Sequence, residues 1–221
     1  LPWDGAELVI KGDYRPFEAD QAGNWLAYVY PGPSLIRTLI NVDSGGTDSP
    51  ENYIQGRDQI GADHFQTHGK NRGVVGRFEA KITDDLSVRF ISSYRKQNFY
   101  LHADSDGTPY QVFDSILPVN QHQISEELHL FGKALDSKLS WLAGLYYFKE
   151  KATDFNVLYV IPDLNPYTPQ HNFRYATNQS KAAFVHLSYE AFHNFTLTAG
   201  ARYTVDTKHW RQRNYEGLFP T

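Results

Sequence analysis

The fold is decided by one stretch, Lys181–Thr207, which reads KAAFVHLSYEAFHNFTLTAGARYTVDT. In its first arm, apolar side chains recur at every second position, at Ala183, Val185, Leu187 and Tyr189. The second arm repeats this alternation with Phe195, Leu197, Ala199, Ala201, Tyr203 and Val205. Because successive side chains point to opposite faces of a strand, each arm is apolar on one face and polar on the other. The stretch therefore predicts a β-hairpin that turns at His193-Asn194, and its long apolar face suits a sheet with lipid on one side.

The composition excludes several classes of protein. The 221 residues carry 21 Lys and Arg against 25 Asp and Glu, a formal net charge of -4, which argues against a nucleic-acid-binding face. Cysteine is absent, so disulfides, thiol nucleophiles and cysteine metal sites are impossible. Mean hydropathy is -0.53, and no run approaches the ~18 apolar residues of a transmembrane helix. A helical membrane protein is excluded, whereas a β-barrel is not, because half of its strand residues face water.

Two further hairpins are predicted upstream of this one. The alternation from Gly73 to Gln97 predicts two strands around a turn at Thr83–Asp85, and the segments Ile124–Lys133 and Leu139–Lys151 flank a turn at Leu135–Lys138. Two long polar loops are predicted between the hairpins, at Tyr100–Gln123 and Asp154–Asn178. Short and long connections thus alternate along about six strands. In an up-and-down sheet, this order places every short turn at one end.

This alternation of connection lengths predicts an all-β fold: an antiparallel up-and-down transmembrane β-barrel segment with short periplasmic turns and long extracellular loops. Residues 73–221 are predicted to supply its strands and loops. Residues 1–72 are predicted to form a long excursion with little regular structure. That excursion has possible short strands at Asn24–Tyr30 and Ser34–Val42, and the second of these would also fit a helical turn. The sequence lacks methionine and a signal peptide, so we expect an internal or trimmed piece of a longer chain.

Four segments carry a resemblance to a known family. They are LSVRFISSYR at 86–95, ISEELHL at 124–130, WLAGLYYF at 141–148 and FTLTAGARY at 195–203. In this order they resemble strands in the barrel portion of TonB-dependent outer-membrane receptors of sphingomonad-like Gram-negative bacteria. The resemblance implies a larger barrel of which this is an incomplete part. It also implies an N-terminal plug domain, not recognisable in this sequence, through which the TonB complex would act.

The resemblance further implies a location and a set of partners. The protein would lie in the cell outer membrane of a Gram-negative bacterium, in contact with its lipid. It would take up a scarce nutrient, such as a ferric siderophore, a cobalamin-like molecule or an oligosaccharide. No cofactor and no nucleic-acid partner is expected. Two alternatives stay open: a passive porin or adhesion-type outer-membrane barrel, and a soluble β-sandwich binding module.

Two sets of residues are candidates for function. Polar and aromatic residues in or beside the two predicted long loops would contact the ligand: Tyr100, His102, Asp104, Asp106, Tyr110, Tyr159, Tyr167 and His171. Residues on the polar faces of the strands would face the lumen: Arg77, Glu79, Arg89, Arg95, Glu127, His129 and Arg202. This second set reads either as a solvated wall held by ion pairs or as a polar passage.

No catalytic or metal site is predicted. The nucleophile elbow, the P-loop and the dinucleotide-binding glycine pattern are all missing, so the chain is not expected to be an enzyme. Asp104-Ser105-Asp106-Gly107 begins like a calcium loop, but its twelfth position is Ser115 instead of the required Glu, and a plain turn is favoured. His64 and His68 stand four apart without the Glu of a zinc-protease motif, so a pair of loop histidines is favoured over a metal site.

Overall fold

The computed structural model describes residues 5–20, 32–34, 37–38, 40–41, 44–53, 66–104, 113–160 and 170–216. These residues form seven β-strands and one short 3-10 helix at Pro50–Tyr53. The strands are β1 (Ala6–Asp20), β2 (Gln66–Thr83), β3 (Leu86–Asp104), β4 (Phe113–Ala134), β5 (Leu139–Val160), β6 (Gln170–Phe192) and β7 (Phe195–Glu216).

The strands form one antiparallel sheet in which each strand pairs with its neighbours in sequence, in the order β1 to β7. The turns at 84–85, 135–138 and 193–194 lie at one end of the sheet, which we call the turn end. The connections 21–65, 105–112 and 161–169 leave from the opposite end, the loop end. The predicted all-β up-and-down architecture, with short turns at one end and longer connections at the other, is confirmed. Within the described residues the sheet does not close, because β1 and β7 each pair on one side only.

The two faces of the sheet differ in chemistry. The outward face carries long rows of apolar side chains, of which one runs through Leu8, Phe78, Phe90, Leu128, Leu145, Ala183 and Tyr203. Several of these are strongly exposed, including Leu8 at 51% and Leu145 at 57%. Large exposed apolar patches mark surfaces that meet a partner or a membrane. A soluble β-sandwich would bury this face under a second sheet, and the described residues form only one sheet.

The opposite, inward face is shaped by glycines that let the two flanking strands meet. A Cβ at Gly73 on β2 would stand 3.1 Å from Asp13 Oδ1 of β1 and 3.3 Å from Arg95 of β3. A Cβ at Gly69 would collide with the ring of Phe17, and one at Gly144 on β5 would collide with the ring of Phe184. Because glycine has no side chain, residues on the two strands that flank it can contact each other across the strand between them. Such contacts give the inward face a continuous wall of polar and aromatic groups.

Several strand bounds correct the sequence prediction. Residues 100–104 and 113–123 extend β3 and β4, and residues 154–160 and 170–178 extend β5 and β6, so most of both predicted long loops is strand. On β4, apolar side chains fall on both faces around Pro118, which removes the one-sided alternation that marks a half-buried strand. On β5 and β6, the alternation of apolar and polar residues near the loop end covers only a few positions, at Phe155–Val157 and Phe173–Tyr175. Backbone pairing nevertheless continues through them, for example at His102↔Ile116 and Val157↔His171.

The predicted irregular stretch up to Arg72 is wrong at both of its ends. Strand β1 occupies Ala6–Asp20, and β2 begins at Gln66 and pairs with it along its whole length. The possible strand at Asn24–Tyr30 lies outside the described residues. In the second candidate segment, Thr38 donates its backbone N–H to the carbonyl of Ser34 at 3.0 Å, as in a helical turn. No helix among the described residues is long and apolar enough to cross a membrane.

Candidate functional site

The inward face carries a series of ion pairs that link neighbouring strands. The predicted lumen-facing residues Arg77, Glu79, Arg89, Arg95, Glu127, His129 and Arg202 all lie on this face, opposite the apolar rows. Arg89 donates from Nε to Glu79 Oε2 at 2.8 Å, and Arg77 meets Glu7 of β1 at 2.7 Å. His129 Nε2 lies 3.1 Å from Glu127 Oε2. The placement of these residues on one face is observed, and their position in the lumen of a complete barrel stays a prediction.

One of these pairs spans three strands. Arg95 of β3 donates from an Nη atom to Asp13 Oδ1 of β1 at 2.8 Å, across Gly73 of the strand between them. The pair is half-exposed, with 52% of the Arg95 side chain and 33% of the Asp13 side chain accessible. Sequence reasoning found Arg95 from its polar face but missed Asp13, because β1 itself was not predicted.

A cluster of cations and aromatic rings lies on the inward face close to the turn end and extends from β3 to β7. The guanidinium of Arg89 lies 4.9 Å from the centre of the Phe131 ring. That of Arg202 lies 5.4 Å from the Tyr146 ring and 5.6 Å from the Phe184 ring. The quadrupole of each ring attracts the cation on its face. Arg202 therefore rests on aromatic rings, whereas the other predicted lumen arginines are paired with carboxylates.

His129 ties this cluster together. Its ring meets the edge of Phe184 with centroids 5.6 Å apart, across Gly144. The sequence prediction missed Phe184 and Tyr146, because alternation shows which face a residue occupies but not which residue it meets two strands away. A small residue between two large ones on one row is the signal that could have revealed this contact.

Towards the loop end, amides and carboxylates continue the polar wall. Glu150 accepts hydrogen bonds from Gln121 of β4 and from Asn178 of β6, the second at 2.7 Å. Asp154 pairs with Arg174 of β6 at 3.0 Å. At the opposite, turn end, the Lys81 ammonium donates a hydrogen bond to Asp84 at 2.8 Å and holds the pKa of that carboxyl below its usual value. Each described inward ion pair joins groups of the sheet or of the turn beside it.

The predicted ligand-contacting residues are only partly brought together. Tyr100 and His102 lie on β3 and His171 lies on β6, so their placement in loops is corrected, and all three belong to rows of the outward face. His171 is buried and stacks on Phe155 at 5.9 Å. Asp104 is the last residue of β3 and Tyr159 the last but one of β5, and neither side chain is among those that the structure describes. Asp106, Tyr110 and Tyr167 lie outside the described residues altogether. Their contact with a ligand stays a prediction.

No metal centre is visible in the part of the chain that the structure describes, where no three His, Asp or Glu side chains converge. The predicted turn at 104–107 and His64 fall on residues whose side chains are not described. The geometry of the inward face thus offers charge-paired and aromatic contacts but no assembled set of ligands for an ion.

An open antiparallel sheet with an apolar outward face and a charged inward face defines part of the wall of a membrane β-barrel. The sequence profile of the TonB-dependent receptor-like β-barrel matches residues 4–220, and the chain belongs to this family. The predicted resemblance to the barrel of TonB-dependent receptors is confirmed. Barrels of this family lie in the outer membrane of Gram-negative bacteria.

A solved structure supports the same fold. The ferric yersiniabactin uptake receptor FyuA from Yersinia pestis superposes with a TM-score of 0.64 at 14% identity, over 96% of this chain and 31% of that receptor. The chain therefore spans about a third of the length of that receptor. No protein with a curated description matches the sequence.

Proposed function

We propose that this chain forms part of the barrel wall of an outer-membrane receptor that takes up a scarce nutrient by a TonB-dependent mechanism. The observation that carries the proposal is the segregation of the two faces: exposed apolar rows outward, and ion pairs and amides inward. Lipid can solvate the outward face, and only a polar filling or water can solvate the inward one. The TonB complex would act through a plug domain within the barrel.

The proposed ligand is a small nutrient molecule such as a ferric siderophore, a cobalamin-like compound or an oligosaccharide. FyuA is an uptake receptor for ferric yersiniabactin, and this likeness favours an iron-bearing ligand, the first of these. Ligand contact is proposed at the loop end, where Tyr100, His102 and His171 lie close to the strand ends from which the connections 105–112 and 161–169 leave. Because the three described residues face outward, they would reach the ligand from the rim and not from the lumen.

Localisation and transport are tested on the full-length protein that contains this chain. After envelope fractionation, we expect the protein in the outer-membrane fraction, with a gel band that shifts when the sample is boiled. Cells supplied with a panel of radiolabelled ferric siderophores should accumulate at least one of them. This uptake should be lost in a strain without TonB. A protein found only in soluble fractions would contradict the proposal.

A passive porin or adhesion-type barrel is the second candidate, since it would present the same two faces. It predicts uptake or adhesion that is unchanged when TonB is deleted. The same pair of strains therefore separates the two candidates, because only energised transport depends on TonB.

A further inference from the structure

Basic residues form a continuous line on the outward face. On each strand from β2 to β6, the first outward residue beyond the apolar rows, in the direction of the loop end, is basic. These residues, which we call the basic girdle, are Arg72, Lys96, His122, Lys149 and Lys181. Each lies two positions closer to the loop end than the last residue of the mainly apolar stretch that starts at the turn end: Val74, Tyr94, Ile124, Tyr147 and Ala183. Further outward apolar residues, such as Phe155 and Tyr175, lie nearer the loop end. A second basic residue follows on β2 and β5, at Lys70 and Lys151.

The girdle follows a slope across the sheet. Arg72, Lys96 and His122 are direct partners in one row. Lys149 lies one row nearer the turn end, and Lys181 one row nearer again. Strands of a membrane barrel tilt by about 35–45°, so a line at constant depth must cross the rows in this manner. The line therefore marks one level along the strands, at the loop-end border of the apolar rows that start at the turn end.

The girdle cations lack the carboxylate partners that four inward arginines have. Arg77, Arg89, Arg95 and Arg174 of the inward face each meet a carboxylate at 2.7–3.0 Å. Among the described residues, no girdle lysine or arginine forms an ion pair. The described carboxylates of the outward face are Glu18 on β1 and Glu126, which accepts a hydrogen bond from Ser92 at 3.0 Å. A chain with a net charge of -4 thus sets a line of unpaired positive charge on one surface.

We propose that the basic girdle binds the phosphate groups of anionic lipid headgroups in the leaflet nearer the loop end. This inference rests on the proposed membrane location. The apolar rows place the acyl chains directly below the girdle, and lysine and arginine can lay their aliphatic stems on that surface while their charged heads reach the headgroup level. Clusters of Lys and Arg at this depth attract anionic lipid. The partner that neutralises these charges is then the membrane itself.

The test uses a local fluorescent reporter in the full-length protein. This chain has no cysteine, so Gln179→Cys introduces a single labelling site in it, on the outward face opposite Lys149; any cysteine elsewhere is replaced by serine. The labelled protein is reconstituted in vesicles of unlabelled phosphatidylcholine that contain a small fraction of nitroxide-labelled lipid. This labelled lipid is either phosphatidylglycerol or phosphatidylcholine, and in both the nitroxide lies near the top of the acyl chain. Quenching by each lipid then reports its local enrichment at the girdle.

We expect phosphatidylglycerol to quench the parent protein several-fold more efficiently than phosphatidylcholine, and salt to reduce this ratio. The girdle variant carries four substitutions, Arg72→Gln, Lys96→Gln, Lys149→Gln and Lys181→Gln. In it, the ratio of quenching by phosphatidylglycerol to quenching by phosphatidylcholine should fall to about one. The matched control removes the same charge at four other sites: Lys11→Gln, Lys133→Gln, Lys138→Gln and Lys208→Gln. It should keep the parent ratio, because none of these residues lies on the outward apolar surface.

Three results would overturn the inference. An unchanged ratio in the girdle variant shows that the basic residues do not select lipid, while the membrane location stands. Inorganic phosphate that abolishes the ratio, where chloride of equal ionic strength does not, indicates a site for free phosphate instead. A parent protein that gives no folded, heat-modifiable band removes the proposed membrane location, and the girdle inference falls with it.

Discussion

At the residue scale, glycines decide how closely the elements of the sheet approach. Gly132 of β4 lies under the turn between β2 and β3, where the backbone carbonyl of Asp85 accepts a hydrogen bond from Lys133 N–H at 3.0 Å. A Cβ at Gly132 would collide with that carbonyl oxygen. At Gly144 the collision is with the Phe184 ring, which can shift, whereas backbone at a turn cannot move without losing its hydrogen bond.

We therefore expect Gly132→Ala to destabilise the full-length protein by about 1–3 kcal/mol, and Gly144→Ala to cost less. Gly76→Ala is the control, because a Cβ there meets nothing within 4 Å. Replacing a strand glycine by alanine without a clash should be neutral or stabilising by about 0.5–1 kcal/mol. Denaturant unfolding of the reconstituted protein measures all three, and a Gly132→Ala variant as stable as Gly76→Ala would contradict the steric account.

The ion pairs of the inward face also differ in how far their side chains are exposed to solvent. Arg89 and Glu79 are about 31% and 30% exposed, whereas Arg77 and Glu7 are 41% and 61% exposed. Solvent screens an exposed pair more strongly, and such pairs contribute about 0–1 kcal/mol.

A double-mutant cycle on Arg89→Gln and Glu79→Gln should therefore give a larger coupling energy than the same cycle on Arg77→Gln and Glu7→Gln. The second cycle should give a coupling near zero. Both are measured by denaturant unfolding at low and high salt, since salt should weaken the coupling. A coupling for the Arg77–Glu7 pair that equals or exceeds the first would refute the role of exposure.

At the scale of the element, alternation along β4 separates the outward apolar face from the inward face. Leu128 lies in the middle of the apolar rows, and Gln123 lies on the inward face opposite Glu150. We expect Leu128→Lys to destabilise the protein by about 2–4 kcal/mol, the cost of a cation at mid-depth on a lipid-facing strand. Gln123→Lys should be tolerated, because water or Glu150 can compensate its charge. Unfolding in vesicles measures both, and equal losses would show that the two faces are not distinguished by lipid.

Strand turns and mid-strand faces were predictable from the sequence, but strand ends were not. The three turns, at Thr83–Asp85, Leu135–Lys138 and Phe192–Asn194, match the structure because polar and left-handed turn residues interrupt a clear alternation. Toward the loop end, apolar residues fall on both faces of β4 around Pro118, and the alternation on β5 and β6 is short, so no long periodicity distinguishes these segments from loop. Strand β1 was missed for a related reason: Val9 interrupts its polar face, and Gly12 and Pro16 weaken the strand signal.

For the candidate site too, one part could be predicted from the sequence and another could not. The predicted lumen residues all share one face of the sheet, since the face of a residue depends only on alternation within its strand. The partners were largely missed, since Asp13 and Phe184 reach their contacts across a glycine on the strand between. Such contacts depend on register between strands far apart in sequence, which alternation within one strand does not specify.

At the scale of the whole molecule, the described sheet has two unpaired edges. Strands β1 and β7 each present a row of backbone N–H and C=O groups without partners in the described residues. An unpaired edge in lipid costs several kcal/mol per group, and in water it recruits other edges. A seven-stranded wall of this kind is stable only when further strands pair with both edges.

We therefore expect the isolated 221-residue chain, refolded in detergent, to form oligomers or aggregates through β1 and β7. The full-length protein should remain monomeric and heat-modifiable, because its other strands would occupy both edges. Size-exclusion chromatography with light scattering compares the two. As a control on edge pairing, Ile10→Pro and Arg202→Pro each remove one backbone donor from the unpaired side of an edge strand, and they should lower the folded yield of the full-length protein. An isolated chain that elutes as a stable monomer would mean that β1 and β7 can close on each other, and the wall would then be a small complete barrel.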